Sequence, residues 1–501
     1  MIIQNNFTLM EKKYNSNKGA LSFTVINYLG IAIGIFATLF IFPRDKELIG
    51  VFRFIEGITY ILYPIFVLGS SQALLNFYPK LSFFLRRRLF IYSFWIVFSI
   101  SGVFLIGIII FYLFDFSEKY HAIYFAFPIA FFLANIELFK KKSAIVKKFT
   151  VPTFLEVIIP KLSLSIIFIL VLTKEISSFQ SLILYVISFG VVYLLTLLYF
   201  HKYLKSFFNL NFSSLFKKVE KKEYFKFSMF AFFGSLGTIF VNRIDSLIVP
   251  LFLSMADNGN FSIAVTLVSA LVIPGTTLFA LYAPIISTYL KTDNMIELNK
   301  KYKEVSIFLF FIGALIYSLI YLGISDLFLL LPTGKSLMTT VPIILILGLN
   351  ILINMGTGFN TEIITYSKYY RFNLKAIFIL VFLKVSLSIF FLYYLKLGIV
   401  YVAVASLISM VVFNLIKLIF IYKKFKLFPF NLKYLFLVIT FVSVVVFISY
   451  IPDTISNFFN LVTKMTLCLT LNLVIVYRLN LVVQYNEVIN SFFDKMKIKR
   501  V

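Results

Sequence analysis

The sequence predicts an all-α integral membrane protein of about 14 transmembrane helices, built as two six-helix lobes in parallel repeat plus two extra C-terminal helices. Three observations carry this. Apolar runs of around 20 residues, the length that crosses a hydrocarbon core as a helix, recur along all 501 residues, 61% of which are hydrophobic. Basic residues cluster on alternate connections between those runs, the asymmetry of a chain threaded repeatedly through a bilayer. A weak internal echo relates the halves. Gly50-x-Phe52 is followed by Pro64 and then Tyr78-Pro79; Gly259-x-Phe261 is followed by Pro274 and then Ala283-Pro284. No interval is long and polar enough for a soluble domain.

The spans fall near 20–42, 51–76, 89–114, 121–140, 151–173, 177–201, 227–253, 259–290, 304–331, 337–366, 372–395, 398–422, 430–451 and 456–482. The first is preceded by a polar segment with Lys12, Lys13 and Lys18. It exceeds a signal-peptide core and no A-x-A-like site follows, so it is expected to remain as an uncleaved span. With the N-terminus in the cytoplasm, the inside connections hold Lys80 with Arg86–Arg88, Lys140–Lys142 with Lys147 and Lys148, and Lys202, Lys205, Lys217, Lys218, Lys221, Lys222 and Lys226. Later inside connections hold Lys291, Lys300, Lys301 and Lys303, then Lys368, Arg371 and Lys375, then Lys423, Lys424, Lys426 and Lys433, with Arg478, Lys495, Lys497, Lys499 and Arg500 closing the chain. The outside segments hold only Arg44, Lys46, Arg53, Lys119, Lys174, Lys335 and Lys396, together with Asp115, Asp257, Asp326 and Asp453. An even span count with both ends inside satisfies every loop.

The longest hydrophilic connection, 202–226, divides the chain. The expected domains are an N-lobe at 1–205, a cytoplasmic linker at 206–226, a C-lobe at 227–425, and the last two spans with a cytoplasmic tail at 426–501. Both six-span units begin inside, so the repeats are parallel, related by an axis along the membrane normal. The formal charge of +26 is explained by topology, and anionic inner-leaflet lipids are its expected partner. Nucleic acid is not, because the basic residues form short clusters rather than one continuous face.

Polar groups inside the spans are the candidate functional residues. The stretch 233–253, FGSLGTIFVNRIDSLIVPLFL, carries Asn242, Arg243 and Asp245 near its midpoint. Such charges cost roughly 2.5–3.5 kcal/mol each at mid-bilayer and are sheltered by protein or a watery cavity. Helical spacing puts Asn242 with Asp245, and Arg243 on another face. In the second span Arg53 and Glu56, three apart, share a face, either as a charged cavity rim or as an interfacial ion pair with Arg53 snorkelling. In the tenth, Asn350 and Asn354 precede Gly356, Gly358, Asn360 and Glu362, the composition of a loosened helix whose carbonyls face a cavity or of close packing through glycine. Glu156, Pro160 and Lys161 suggest a kinked fifth span with a buried pair, and Glu137 an interfacial partner of Lys140–Lys142. Lys384 and Lys417 attract an anion or snorkel. Pro64 and Pro274 are expected to kink their spans near the middle.

No catalytic residue, metal site or cofactor is expected. The chain has one cysteine, Cys468, and two histidines, His121 and His201, next to span ends. It lacks a Gly-rich phosphate loop, G-x-S-x-G and H-E-x-x-H. The outside segments are too short to build the site of a membrane glycan polymerase or ligase, the remotest alternative.

Local stretches complete the pattern: SQALLNFYPKL closing span 2, VNRIDSLIVPLFLSMADNGNFSIA across spans 7 and 8, and LFALYAPIISTYLKTDNMIELNKKYKEV leading into span 9. With the six-six-two division of spans, these resemble the polysaccharide flippases of the multidrug/oligosaccharidyl-lipid/polysaccharide exporter (MOP) superfamily. The resemblance implies two six-helix lobes around a cavity lined by spans 1, 2, 7 and 8. It implies translocation of a polyprenyl-diphosphate-linked oligosaccharide across a bacterial cytoplasmic membrane for O-antigen, capsule or exopolysaccharide synthesis. Arg53 and Arg243 would attract the diphosphate; Glu56 and Asp245 would serve coupling to H+ or Na+. Spans 1 and 8 lack charge at mid-depth, which leaves the charge of the glycan open. The alternative within the superfamily is an ion-coupled drug antiporter, from which twelve spans and a central carboxylate are expected.

Overall fold

The computed structural model describes residues 25–114, 121–145, 150–200, 212–453 and 456–495. Lys12, Lys13, Lys18, Asp115, Lys119, Lys147, Lys148, His201, Lys202, Lys205, Lys497, Lys499 and Arg500, and the linker positions 206–211, lie outside the described residues. The described residues form helices joined by short turns and irregular connections, with no strand. Among the described residues, fourteen helices are long and apolar enough to cross a membrane, one for each expected span. Their contacts divide the chain into two compact units, Met1–Gly259 and Asn260–Val501.

The first unit contains α1 (Val25–Arg44), α2 (Lys46–Val67), α3 (Ser70–Phe77), α4 (Phe83–Leu113), α5 (Ala122–Ile145), α6 (Thr150–Leu172), α7 (Ser178–Phe200), α8 (Ser213–Lys218), α9 (Lys221–Arg243), α10 (Asp245–Phe252) and the first turn of α11 (Met255–Val268). α2 is its centre and packs against α4, α5, α9 and α10. Asp45 starts α2 by accepting the Leu48 N–H at 2.9 Å, which satisfies one of the free donors of a helix N-terminus. Pro64 lies in the last turn of α2, which ends where Leu68 and Gly69 turn left-handed (φ 43° and 71°). The expected kink near the middle of the second span is therefore an elbow between α2 and α3. A Cβ on Gly69 would lie 1.9 Å from the Ser228 carbonyl oxygen, so only glycine lets α9 approach that elbow. Its larger core clusters hold Phe66, Phe90, Phe139 and Tyr224 in one, and Phe52, Phe168 and Tyr185 in another. The outer sides of α4 and α7 expose rows of Ile, Leu, Val and Phe, the surface that faces lipid in a membrane-spanning bundle.

The second unit contains the rest of α11, then α12 (Val272–Lys291), α13 (Met295–Leu329), α14 (Gly334–Leu337), α15 (Val341–Gly356), α16 (Asn360–Tyr366), α17 (Arg371–Ile389), α18 (Val400–Phe425), α19 (Leu432–Ser449), α20 (Asn457–Arg478) and α21 (Val483–Lys495). α13 is its longest element and packs on α12, α15, α19 and α20. α11 and α12 are joined by a 3-10 turn at Ser269–Leu271. Pro274 has no N–H to give to the carbonyl four residues back, which interrupts the eighth span there. Gly323 of α13 abuts Leu461 and Met465 of α20. Lys464 of α20 bridges Asp326 of α13 at 3.0 Å and Asp453 at 2.6 Å.

Candidate functional site

Arg53, Glu56 and Arg243 converge in the first unit. One helical turn on α2 brings Arg53 Nη1 to 2.6 Å from Glu56 Oε2. The other carboxylate oxygen, Oε1, accepts the Tyr185 hydroxyl from α7 at 2.6 Å, and the Tyr185 ring is held edge-on by Phe52 with centroids 5.1 Å apart. Arg243 comes from the last turn of α9, its Nη1 at 3.9 Å from Glu56 Oε2 and its guanidinium 4.1 Å from the centre of the Tyr60 ring. Gly57 makes this approach possible: a Cβ there would sit 3.1 Å from Leu247 and 3.3 Å from Ser246, so α10 lies close against α2 beside Glu56.

Glu56 is 8% exposed, and the Arg53 side chain 19%. The pair is therefore an internal ion pair and not a snorkelling one. The Arg243 side chain, at 34%, is the more accessible cation. Two guanidiniums serve one carboxylate, and Lys161 of α6, within electrostatic range of Arg53 and Glu56, adds a third positive group while donating to the Gly30 carbonyl at 2.9 Å. A carboxylate bonded by Arg53 and Tyr185 leaves Arg243 with one long contact and a ring face, free in geometry to meet another anion.

The remaining first-unit candidates separate. Asn242 is exposed and its amide donates to the Thr238 carbonyl at 3.0 Å, whereas Asp245 is buried on α10. Ile244 between them keeps helical backbone, φ −62° and ψ −30°, with its N–H donating to the Phe240 carbonyl at 2.9 Å, so the two differ in burial although the chain stays helical. Glu156 pairs with Lys140 at 2.8 Å and not with Lys161, and Glu137 pairs with Lys141 at 3.0 Å.

Asn354 belongs to a polar network in the second unit, and Glu362 is the electrostatic neighbour of Lys417 beside it. The tenth span breaks between α15 and α16 at Gly356, Thr357 and Gly358, the last with φ 66°. Asn360 Nδ2 donates to Thr357 Oγ1 at 2.9 Å and to Asn414 Oδ1 at 3.0 Å. Thr357 Oγ1 donates to Asn414 Oδ1 at 3.1 Å, and Asn414 Nδ2 to Asn354 Oδ1 at 3.3 Å. Lys417 is fully buried: its ammonium donates to Thr361 Oγ1 at 2.8 Å and lies 3.8 Å from the centre of the Phe413 ring. Lys384 is buried as well, so neither lysine snorkels. Asn350 Oδ1 and Glu362 Oε2 are buried without a hydrogen-bond partner among the described residues.

The sequence reading missed Tyr185, Tyr60, Asn414 and Thr361. Asn414 stands three residues before Lys417 within an apolar run, so its spacing could have flagged it. Tyr185 is one of 30 tyrosines, and nothing in its neighbourhood distinguishes it.

This architecture matches that of known membrane transporters. The chain is similar to the lipid II flippase MurJ in an inward-closed conformation, with a TM-score of 0.67 at 15% identity, over 93% of this chain and 99% of that one. It is also similar to a multidrug-resistance MATE family transporter of the MOP superfamily in an inward-facing conformation, with a TM-score of 0.58 at 13% identity, over 79% of this chain and 93% of that one. The chain thus shares its fold with these two transporters, the all-α membrane architecture of about 14 helices that the sequence led us to expect. No protein-family model matches the sequence, and no curated protein matches it.

Proposed function

We propose that the protein is a flippase that moves a polyprenyl-diphosphate-linked oligosaccharide repeat unit across the bacterial cytoplasmic membrane by alternating access, with both termini cytoplasmic. The observation that carries this reading is the Arg53–Glu56–Arg243 cluster, where two guanidiniums surround a single carboxylate. A diphosphate supplies the anionic oxygens that Arg243 lacks. Arg53 is the second ligand once its bond to Glu56 is exchanged. Transport of an intact lipid-linked glycan needs no covalent step, so these residues bind and release and do not catalyse. Proton or sodium coupling belongs to the same reading, with Glu56 and Asp245 as carriers. Asn242, Asn350, Asn354 and Glu362 are the polar positions along the path, and the lobes at 1–205 and 227–425 are its moving bodies.

The second reading, an ion-coupled small-molecule antiporter, is supported by the MATE likeness. The extent of the two matches favours the first: the flippase fold covers 93% of this chain and the MATE fold 79%. The test is deletion of the gene followed by measurement of lipid-linked repeat units and surface glycan. Accumulation on the cytoplasmic leaflet is expected. Unchanged pools and unchanged surface glycan, in a strain without a redundant transporter, would overturn the proposal. Arg243→Ala and Arg53→Ala at normal membrane levels are each expected to lower export, and wild-type export from both would remove them from the mechanism.

A further inference from the structure

The glycines that head the two halves of the sequence echo touch each other in the first unit. Gly50 lies on α2, and Gly259 in the first turn of α11. A Cβ built on Gly50 would lie 1.8 Å from the Met255 carbonyl oxygen and 3.1 Å from the Gly259 nitrogen; one built on Gly259 would lie 2.0 Å from the Lys46 carbonyl oxygen. Met255 and Lys46 each stand four residues before the glycine of their own helix. The contact is therefore the same seen from either side: each glycine receives the carbonyl one turn before the other glycine. Equivalent positions of a repeat meeting each other is the internal form of an isologous contact. Asn258, fully buried, donates its amide to the Gly50 carbonyl at 2.7 Å, and Asp257 is the electrostatic neighbour of Lys46.

This crossing differs from ordinary packing in what it lacks. At the two glycines no Cβ stands between the backbones, the close approach that small residues allow between membrane helices. Separating the helices breaks this contact, the Asn258 bond to the Gly50 carbonyl and the packing of Ile49 on Gly259. It also stands six residues before Glu56, about 9 Å along the helix axis at 1.5 Å per residue. That is the side of the arginine cluster that the charge pattern assigns to the exterior. We propose that the Gly50–Gly259 crossing is a closing contact that seals the outer side of the Arg53–Glu56–Arg243 cluster and parts when the cluster opens outward. The inference rests on the transporter reading and goes beyond it by naming the contact that must break.

The test uses the full chain in intact cells, with Cys468→Ser as background and Ile49→Cys as reporter. Ile49 is 1% exposed and its Cγ2 lies 3.0 Å from the Cβ position of Gly259. A membrane-impermeant maleimide added outside is expected to label Cys-substituted position 49 slowly in this parent. Adding Gly50→Ala or Gly259→Ala forces an overlap with backbone and is expected to raise the labelling rate about tenfold. Unchanged labelling in both glycine variants at parental membrane levels would overturn the proposal. If the alanine variants do not reach the membrane, Asn258→Ala removes the cross-helix bond without adding an atom and decides in the same way: faster labelling supports the closure, and no change refutes it. Labelling is read independently of export, so a failure of the glycan reading, seen in the lipid-linked pools, stays distinguishable from a failure of the closing contact.

Discussion

Arg53 and Glu56 illustrate how far a residue-level reading reaches. Their separation by three on a helix was enough to pair them, and the 2.6 Å contact is that pair. What the spacing could not supply is the depth at which the pair sits and the partners that come from elsewhere. Tyr185 is 129 residues away in sequence, and Arg243 arrives because Gly57 lets α10 close on α2. Burial changes the energetics. Removing one member of a buried ion pair leaves an uncompensated charge and costs about 3–5 kcal/mol, whereas replacing both with apolar groups is often near neutral. Arg53→Ala and Glu56→Ala are therefore each expected to lower the thermal midpoint of the purified protein more than the double variant does. Unfolding monitored in detergent would show this, and a double variant whose loss equals the sum of the singles would mean the pair is not coupled. Tyr185→Phe removes one bond to a charged group, and a smaller loss of about 1.5–3 kcal/mol is expected in the same assay.

Among the elements, the most legible was the broken tenth span. Two amides, two glycines and a third amide in close succession left a loosened helix and close packing through glycine both open; the helix stops at Gly356 and restarts at Asn360, and both glycines lie against neighbouring side chains. The proline positions were less legible. A proline states where a hydrogen bond is missing but not whether the chain bends, breaks or ends there. Pro274 adjoins a 3-10 joint within its span, and Pro64 sits in a final turn. Span 7, read as one helix, keeps helical backbone and hydrogen bonds through Ile244, where α9 meets α10. The break in the tenth span makes a prediction of its own. Gly358 has φ 66°, and a Cβ there would sit 3.1 Å from both Ser306 and Tyr302. The left-handed conformation costs a residue with a Cβ roughly 1–2 kcal/mol, and the two neighbours add to it. Gly358→Ala is expected to lower the thermal midpoint measurably and Gly356→Ala to do likewise, since its Cβ would lie 2.4 Å from the Tyr434 hydroxyl. Gly102→Ala, where nothing lies within 4 Å, is the matched control, and an equal effect at Gly102 would refute the argument.

At the scale of the whole molecule, the number and order of spans were legible because membrane insertion imposes a simple rule. Each crossing needs about 20 apolar residues, and each connection records in its charge the side on which it was left. The grouping of helices depends on packing as well. The charged connection at 202–226 suggested a division there, and the lobes at 1–205 and 227–425 stay a proposal; the contacts group α9 and α10, which pack on α2, with the first compact unit, Met1–Gly259. Packing depends on small residues such as Gly57 and Gly69, whose meaning appears only once the partner helix is known. The charge rule itself can be tested without any substrate. Of 47 basic residues, only seven fall on segments assigned to the outside: Arg44, Lys46, Arg53, Lys119, Lys174, Lys335 and Lys396. A fluorescent protein that matures only in the cytoplasm, fused after Lys80, Lys291 or Lys426, is expected to fluoresce, and a fusion after Lys174 or Lys335 is expected to stay dark. An alkaline phosphatase that folds only outside should give the opposite pattern at each site. A fluorescent fusion at Lys335 with a dark one at Lys291 would invert the second half of the chain, and with it the assignment of the glycine crossing to the outer side.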